Sequence, residues 1–578
     1  MTSAQPFVLL DGGSSGSSGG SGRSLLFRGA SGIVETRDPA GVRDAIRRLE
    51  GCHAAGFISY EAGHALEAKL APLCRTPAED APPLLWFGLF GEPEEIDPTE
   101  LLPDAAGAWA AAPRPRIERA AYCEGVERIL RRIEAGDIYQ ANFTFPAEIR
   151  FAGHPLALYA ALRARAGAAH GAVVFTGAHW ILSFSPELFF EMKGGRILAR
   201  PMKGTAPRSA DPETLRGDPK QRAENLMIVD LLRNDLSRVS RPGSVEVPSL
   251  FAVETYPTLH QMTSTVTAAL ADHIGPARVL ETIFPCGSVT GAPKIRAMEV
   301  IAEVETAPRG VYTGAIGRLA PDGEAEFNVA IRTLTVPAGG NVAAIGLGSG
   351  IVADSRAGEE WRECLAKGEF VSDPDRSFDL IETMRFDPHE GMPDLERHLL
   401  RLKRSADALG FAFDRHDARN ELQAATFRLP EPAKVRLMLS PTGATAIEVR
   451  PLGAPPAEPV EVALALREVA ADDFRLAHKT SDRAFYDEPR RAAGAYEVLF
   501  ADAAGFLTEG SWTSLFVERG GRLMTPPLAR GLLPGILRER LIEEGSAVEA
   551  DLVAADLVAG FLIGNAARGL MRARLAGS

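Results

Sequence analysis

This chain lacks most of the devices that small, secreted or membrane proteins depend on. Its five cysteines, Cys52, Cys74, Cys123, Cys286 and Cys364, are odd in number, scattered, and never in CxxC spacing. That excludes a disulfide framework and a zinc ribbon and fits a reducing compartment. No stretch approaches the ~18 consecutive apolar residues of a membrane span. The first residues carry no basic segment, and the apolar run Phe7–Leu10 is far too short for a signal peptide. The expected location is therefore the cytoplasm, with no membrane partner. Basic charge is in deficit too. A net charge of −13 argues against nucleic acid as a partner, because phosphate binding needs a basic face. Small anionic substrates stay open, since they need only a few cations in a pocket. No internal repeat relates the two halves.

What is present is ordinary globular material. With 46% hydrophobic and 24% charged residues over 578 positions, the chain can bury a core without staples. Residues 12–22, GGSSGSSGGSG, read as a flexible low-complexity loop without chemistry. Strands are expected at 55–60 and 83–90, and a helix at 120–135 closed by Gly136. The apolar spacing predicts a helix over 222–237 with Leu226, Val229, Leu232 and Leu236 on one face. A Gly-interrupted strand is expected at 343–352 and a helix at 356–370. Residues 371–379 form the expected linker, so the domains are read as 1–372 and 373–578. The second opens with a strand at 378–386 and a helix at 395–409, and a Pro-rich junction at 452–459 divides it into two subdomains.

Four segments of the first part carry chemistry. They are SFSPELF with Glu187, followed by PMKGTAPR with Lys203 and Thr205; ENLMIVDLLRND with Glu224; FPCGSVTGAPK at 284–294; and GSGIVAD at 348–354 running into EWRECLAK. In the last of these Glu360, Glu363 and Lys367 fall at i, i+3 and i+7, so they project from one helix face. Carboxylates on one face suit a hard cation such as Mg²⁺, and a lysine one turn on suits a substrate carboxylate. Taken singly, Glu363/Lys367 is an ordinary solvated i,i+4 pair and Glu224 a helix-start charge favoured by the macrodipole. GSVTGAPK lacks the GK[ST] ending, which rejects a Walker reading.

Together, and with His260 in LHQMTS, Tyr312 in YTG and Arg332 in NVAIR, these blocks resemble the chorismate-utilising family of anthranilate, isochorismate and aminodeoxychorismate synthases. The resemblance spans about residues 55 to 370. It implies a large α/β sandwich of mostly antiparallel sheets. It also implies Glu224, Glu360 and Glu363 around Mg²⁺, with Thr205, Tyr312, Arg332, Lys367 and the Gly348–Ser349–Gly350 backbone holding chorismate. Anthranilate synthases resemble PIAGT where this chain has PMKGT, and lysine there resembles the aminodeoxychorismate synthases. Lys203 is then the nucleophile, if its pKa falls enough to supply free amine, and Glu187 the general acid. His260 is either a catalytic neighbour or a satisfied core histidine. No cysteine sits on the Gly-flanked elbow of a glutamine amidotransferase, so ammonia is expected from a separate amidotransferase subunit or from solution.

The second part contains RHLLRLKRSA with Arg401, HKTSDR with Lys479, LTEGSWTSLF with Glu509, LPGILR at 533–538 and IGNAARG at 563–569. Each is weak alone. Together they resemble the class IV, branched-chain aminotransferase-like enzymes of pyridoxal 5'-phosphate fold type IV, a two-subdomain α+β domain. The resemblance implies Lys479 as the cofactor-holding lysine and Glu509 as partner of the pyridine nitrogen. Arg401, with backbone N–H groups of Gly535, Ile536 and Leu537 and of Asn565, Ala566 and Ala567, would bind the phosphate. The chain departs from that pattern at Ser514, where asparagine is common, and at Ala566 and Ala567, where a hydroxyl residue is usual. The class contains aminotransferases and aminodeoxychorismate lyase, and a dimer through this domain is expected. Three readings stand: a fused synthase and lyase making 4-aminobenzoate, a synthase fused to a general aminotransferase, and a synthase with a catalytically silent assembly module.

Overall fold

The computed structural model describes residues 5–12, 23–255, 259–373 and 376–577. Residues 13–22 of the Gly/Ser stretch and 374–375 of the expected linker lie outside these. The chain divides into two compact units. The first comprises residues 1–102, 112–149 and 159–372. The second comprises 373–578 together with 103–111 and 150–158.

The first unit is built on two large sheets. Every strand pairing described within it is antiparallel, as in the hairpins Leu188–Lys193 with Arg196–Arg200 and His53–Ile58 with Leu85–Phe90. Between the sheets lie Val8, Phe27, Val174 and Ile181 from one and Phe57, Trp86 and Ile316 from the other. Phe57 and Trp86 stack at 6.4 Å. Each such buried aromatic contributes ~1.5–3 kcal/mol, which makes the inter-sheet layer a major source of stability. The other face of the sheet that holds Phe57 packs against the helices Pro219–Ser237 and Pro276–Ile283. His53–Ile58 is therefore buried on both faces, and it reads as a continuous apolar run instead of an alternating one.

The helix Pro219–Ser237 starts where Asp218 accepts from the Lys220 and Gln221 amides, with Pro219 at the first position. Its buried face is Asn225, Ile228, Val229, Leu232 and Leu236. Leu226, expected in that stripe, is 50% exposed. The stripe begins one residue earlier because the buried amide of Asn225 is held by Ser264.

The second unit opens with the antiparallel sheet Leu380–Phe386, Ala433–Leu439 and Thr445–Pro451, covered by the helices Leu395–Leu409 and Arg415–Thr426. Gly410 ends the first helix in the left-handed conformation at φ +76°, as a C-terminal glycine should. An eight-stranded mixed sheet follows from Val460 onward. The segment 103–111 joins this unit through Trp109, whose ring meets Phe378 at 4.8 Å and whose indole N–H donates to the Leu409 carbonyl at 3.3 Å. Among the described residues no helix is long and apolar enough to cross a membrane.

Candidate functional sites

In the first unit, Glu187 enters the strand Leu188–Lys193 from a buried turn, and its carbonyl accepts from the Val329 amide. Burial lifts its carboxyl to about 7, against a Ser288 hydrogen bond and the Lys203 charge, which both lower it. A carboxylic acid poised there is half protonated at neutral pH. Lys203 projects from the strand Met202–Pro207, and its ammonium pairs with Glu224 of the helix Pro219–Ser237 at 3.2 Å. A Cβ on Gly350 would stand 3.3 Å from Lys203 Nζ and 3.1 Å from Gln140 Nε2. Lysine, carboxylate and glycine therefore share one small space.

Glu363 and Lys367 do form their i,i+4 pair, at 2.8 Å, and the same ammonium donates to the Gly348 carbonyl at 2.8 Å. Lys367 thus clasps the helix to the glycine strand. Burial raises the Glu363 carboxyl, but Lys367, Lys203 and Lys220 outweigh it and the net shift is downward. Glu360 accepts from the Ser355 hydroxyl at 2.7 Å.

The three carboxylates expected around a metal are each engaged, Glu224 by Lys203, Glu360 by Ser355 and Glu363 by Lys367. No group of three His, Cys, Asp or Glu side chains among the described residues closes on one point. They do share cationic neighbours: Lys220 feels Glu224 and Glu360, and Glu363 feels Lys203 and Lys220. An all-oxygen set surrounded by lysines suits a hard divalent cation, which would take over the charge the lysines now balance.

Ser349 turns its side chain away from the glycines' side, which leaves only its backbone to serve a substrate. Its side chain is fully buried and shares hydrogen bonds with Tyr122, which also contacts Cys364. In a strand, neighbours point to opposite faces, so the serine anchors the strand while Gly348 and Gly350 face the other way. His260 is 1% exposed, with Nδ1 on the Thr255 hydroxyl at 2.9 Å and Nε2 on the Arg208 carbonyl at 3.2 Å. Both nitrogens are satisfied, which favours the core reading. Arg332 sits at φ +50° and donates to the Ala166 carbonyl at 3.0 Å. Burial lowers its pKa, and no carboxylate partner is found for it among the described residues. Tyr312 lies flat against Gly346, where any Cβ would strike its ring. The side chain of Thr205 lies outside the described residues. Ser288 and the Lys220–Asp354 pair at 2.8 Å were missed from sequence, since neither carries a local signature.

In the second unit every residue expected to hold the cofactor lines one cavity of about 510 Å³. Burial is the largest influence on Lys479 and brings its amine down to about 7, helped by Arg401, Arg483 and Arg436 and opposed by Glu382. Burial likewise raises Glu509 to about 7, against Tyr486, the Leu533 amide, Arg467 and Arg483. The Tyr486 hydroxyl and, at 3.0 Å, the Leu533 amide donate to Glu509. The helix Ile536–Glu543 begins without a side-chain cap, leaving first-turn N–H groups open at the cavity.

Arg401 is more committed than expected. Its fork grips Glu382 at 2.9 and 2.7 Å and its third nitrogen donates to the Pro534 carbonyl at 2.9 Å. It therefore braces the turn preceding Gly535 as well as lining the cavity. His398 Nδ1 meets the same Glu382 at 2.6 Å. Burial raises the Glu382 carboxyl, but Arg401 and His398 reverse this and hold it at about 2. At the other turn, Asn565 Oδ1 accepts from the Ala567 and Arg568 amides, each at 2.9 Å, so the Ala567 N–H is not open for phosphate. Glu382, His398 and Tyr486 escaped the sequence reading. An acid in an apolar strand, as Glu382 is, was the available signal.

The site thus combines a lysine of lowered pKa, a buried carboxyl and a helix N-terminus around a polar cavity, the donor set a phosphorylated pyridine aldehyde requires. Comparison with known proteins adds the lineage. Residues 5–373 match the family model of chorismate binding enzymes, and residues 379–576 that of amino-transferase class IV. Aminodeoxychorismate synthase component 1 of Klebsiella aerogenes is 42% identical over 267 residues, covering 45% of this chain and 58% of that protein. The protein of the same name from Salmonella typhimurium is 39% identical, over 46% of this chain and 59% of its own. The matched stretch thus spans a little over half the length of these curated relatives. Anthranilate synthase component I from Streptococcus pneumoniae TIGR4 is a structural neighbour with a TM-score of 0.53 and 25% identity, over 60% of this chain and 92% of that one.

Proposed function

Because the chain belongs to the chorismate-binding enzyme family and continues into a class IV aminotransferase domain, we propose that it makes 4-aminobenzoate in two steps. The first aminates chorismate at C4 and the second removes pyruvate from the product. Ammonia comes from a glutamine amidotransferase subunit, a reading supported by the relatives' designation as component 1.

The observation that carries the first step is Lys203 beside Glu224, with Glu187 poised at about 7 in the same buried site. Glu187 gives its proton to the departing C4 hydroxyl, which leaves as water. Lys203, once its proton has passed to Glu224, adds its lone pair at C2 as the ring double bonds shift; ammonia then enters at C4 and expels the lysine, and the proton shed by the new ammonium restores Glu187. The sum is chorismate plus ammonia to aminodeoxychorismate plus water. Arg332, desolvated and without a carboxylate partner among the described residues, takes a substrate carboxylate. Glu224, Glu360 and Glu363 would hold Mg²⁺, whose charge would neutralise the ring carboxylate.

In the second step pyridoxal 5'-phosphate, when bound, supplies an electron sink conjugated to the substrate nitrogen. Glu509, with its carboxyl lifted to about 7, would partner the ring nitrogen and set that sink's strength. Lys479 takes the C4 proton and returns one to the methylene carbon as pyruvate departs. Aromatisation drives the step, so no keto-acid acceptor is consumed.

The test supplies chorismate, Mg²⁺ and ammonium to the purified chain charged with pyridoxal 5'-phosphate. 4-Aminobenzoate and pyruvate in equal amounts are expected. Anthranilate would refute amination at C4, and a stable amine with no pyruvate would refute the lyase step.

A further inference from the structure

The cavity of the second unit holds more positive charge than a cofactor and a simple amino acid require. Four of its arginines are spent on the protein itself. Arg401 is bound by Glu382, and Arg475 by Asp473 at 2.6 Å. Arg483 pairs with Asp487 at 3.2 Å, and Arg568 donates to the Leu452 and Gly453 carbonyls. Three further cations line the same cavity, Lys434, Arg436 and Arg490. None of the three has an ion pair among the described residues.

Their placement is deliberate in the fold. Lys434 and Arg436 lie two apart on the strand Ala433–Leu439, so both side chains leave the same face of the sheet. Arg436 registers against Thr383 on one side and Glu448 on the other. Glu448 does not neutralise it, because Arg450 holds that carboxylate. Arg490 comes from the helix Ala484–Ala493, whose residue Tyr486 donates to Glu509. Arg436 and Lys479 line the same cavity, and the arginine's charge helps lower the lysine's pKa. The indole N–H of Trp512, buried at the cavity wall, has no acceptor among the described residues and adds a neutral donor. The cavity's own acids are already engaged: Asp487 by Arg483, Glu509 by Tyr486 and the Leu533 amide.

We infer that Lys434, Arg436 and Arg490 form an anchor for a substrate that carries two carboxylates on or beside a six-membered ring, and that they select it over monocarboxylate amines. This rests on the cavity holding pyridoxal 5'-phosphate and deepens the lyase reading. A monocarboxylate would leave one of the two part-buried arginines, Arg436 and Arg490, unpaired, a desolvation cost without return, while the exposed Lys434 adds its charge at little such cost. A second carboxylate turns that cost into charge-assisted hydrogen bonds, and the planar fork of an arginine accommodates it in a defined orientation. Aminodeoxychorismate, with one carboxylate on the ring and another on its enolpyruvyl arm, has this chemistry.

The test compares benzene-1,3-dicarboxylate with benzoate as ligands of the full chain loaded with pyridoxal 5'-phosphate, by calorimetry. The dicarboxylate should bind at least about tenfold more tightly, the worth of one charge-assisted contact. In Arg436→Met and in Arg490→Met the preference should fall to within about threefold, with the cofactor's visible absorption retained, and Arg436→Lys should recover part of it. Equal binding of the two ligands to the unaltered chain would overturn the inference. So would Arg436→Met that keeps the preference, or that sheds the cofactor, since the arginine would then serve the phosphate. Wild-type chain that prefers the dicarboxylate yet releases no pyruvate from aminodeoxychorismate would remove the lyase reading and leave the anchor standing.

Discussion

Two alanine substitutions in one glycine strand should separate catalysis from folding. At Gly350 a new Cβ would meet Gln140 Nε2 at 3.1 Å, Lys203 Nζ at 3.3 Å and the Gln140 carboxamide carbon at 3.5 Å. All are ends of flexible side chains, which yield by a few tenths of an ångström at a cost below ~0.5 kcal/mol. What yields, however, is the amine proposed to attack the ring, and the methyl also fills space that substrate would use. Misplacing a reacting group by ~1 Å costs on the order of 10²-fold, so Gly350→Ala should lower the amination rate by about 10- to 100-fold. Gly348 is the control. A Cβ there would stand 2.7 Å from the Phe143 carbonyl oxygen and 2.6 Å from Thr144 Cγ2. A backbone carbonyl cannot swing aside, so Gly348→Ala should cost ~1–3 kcal/mol of stability. The assay pairs ammonium-dependent consumption of chorismate with a thermal melt of each variant. Gly350→Ala should melt as the unaltered chain does and fail to aminate, while Gly348→Ala should melt earlier. Wild-type amination by Gly350→Ala would refute the placement of Lys203 at the reacting carbon.

Three further outcomes are expected. Amination should weaken as pH rises through about 7, because the acid form of Glu187 supplies the proton and its carboxyl is lifted to about 7 by burial; Glu187→Gln should abolish that limb of the pH profile along with most of the rate. Lys479→Ala should stop the reaction at aminodeoxychorismate while chorismate consumption continues, and chromatography that finds 4-aminobenzoate instead would remove Lys479 from the second step. His260→Ala should act on stability, leaving the Arg208 carbonyl and Thr255 hydroxyl without their partner at ~1–3 kcal/mol, with amination changed less than about threefold in the folded fraction; a large rate loss at unchanged melting temperature would return the histidine to the catalytic set.

The parts that could be read from sequence were local. The helix Leu395–Leu409 was legible to the residue, because its apolar spacing and Gly410 are signals contained within one segment. The helix Pro219–Ser237 was legible as a helix, but its buried face was displaced, because Ser264 on a distant strand recruits Asn225 inward. Ser349 shows the same limit inside a motif. The resemblance named the Gly348–Gly350 stretch, and only the alternation of the folded strand sends the serine toward Tyr122 and away from the glycines' side.

Sequence by itself determined which chemical groups this protein owns and roughly where elements begin and end, since residue type, spacing and capping act over a few positions. The order of its motif blocks was enough to mark two enzyme families in one chain. Tertiary structure decided who holds whom. It put Glu224 against Lys203, gave Arg401 to Glu382 and the Pro534 carbonyl, closed Lys367 onto Gly348, and drew 103–111 and 150–158 into the second unit. It also left Lys434, Arg436 and Arg490 facing one cavity without an ion pair among the described residues. The physical reason is that a charge is settled by the groups within a few ångströms of it, and those groups come from strands and helices that no local spacing links.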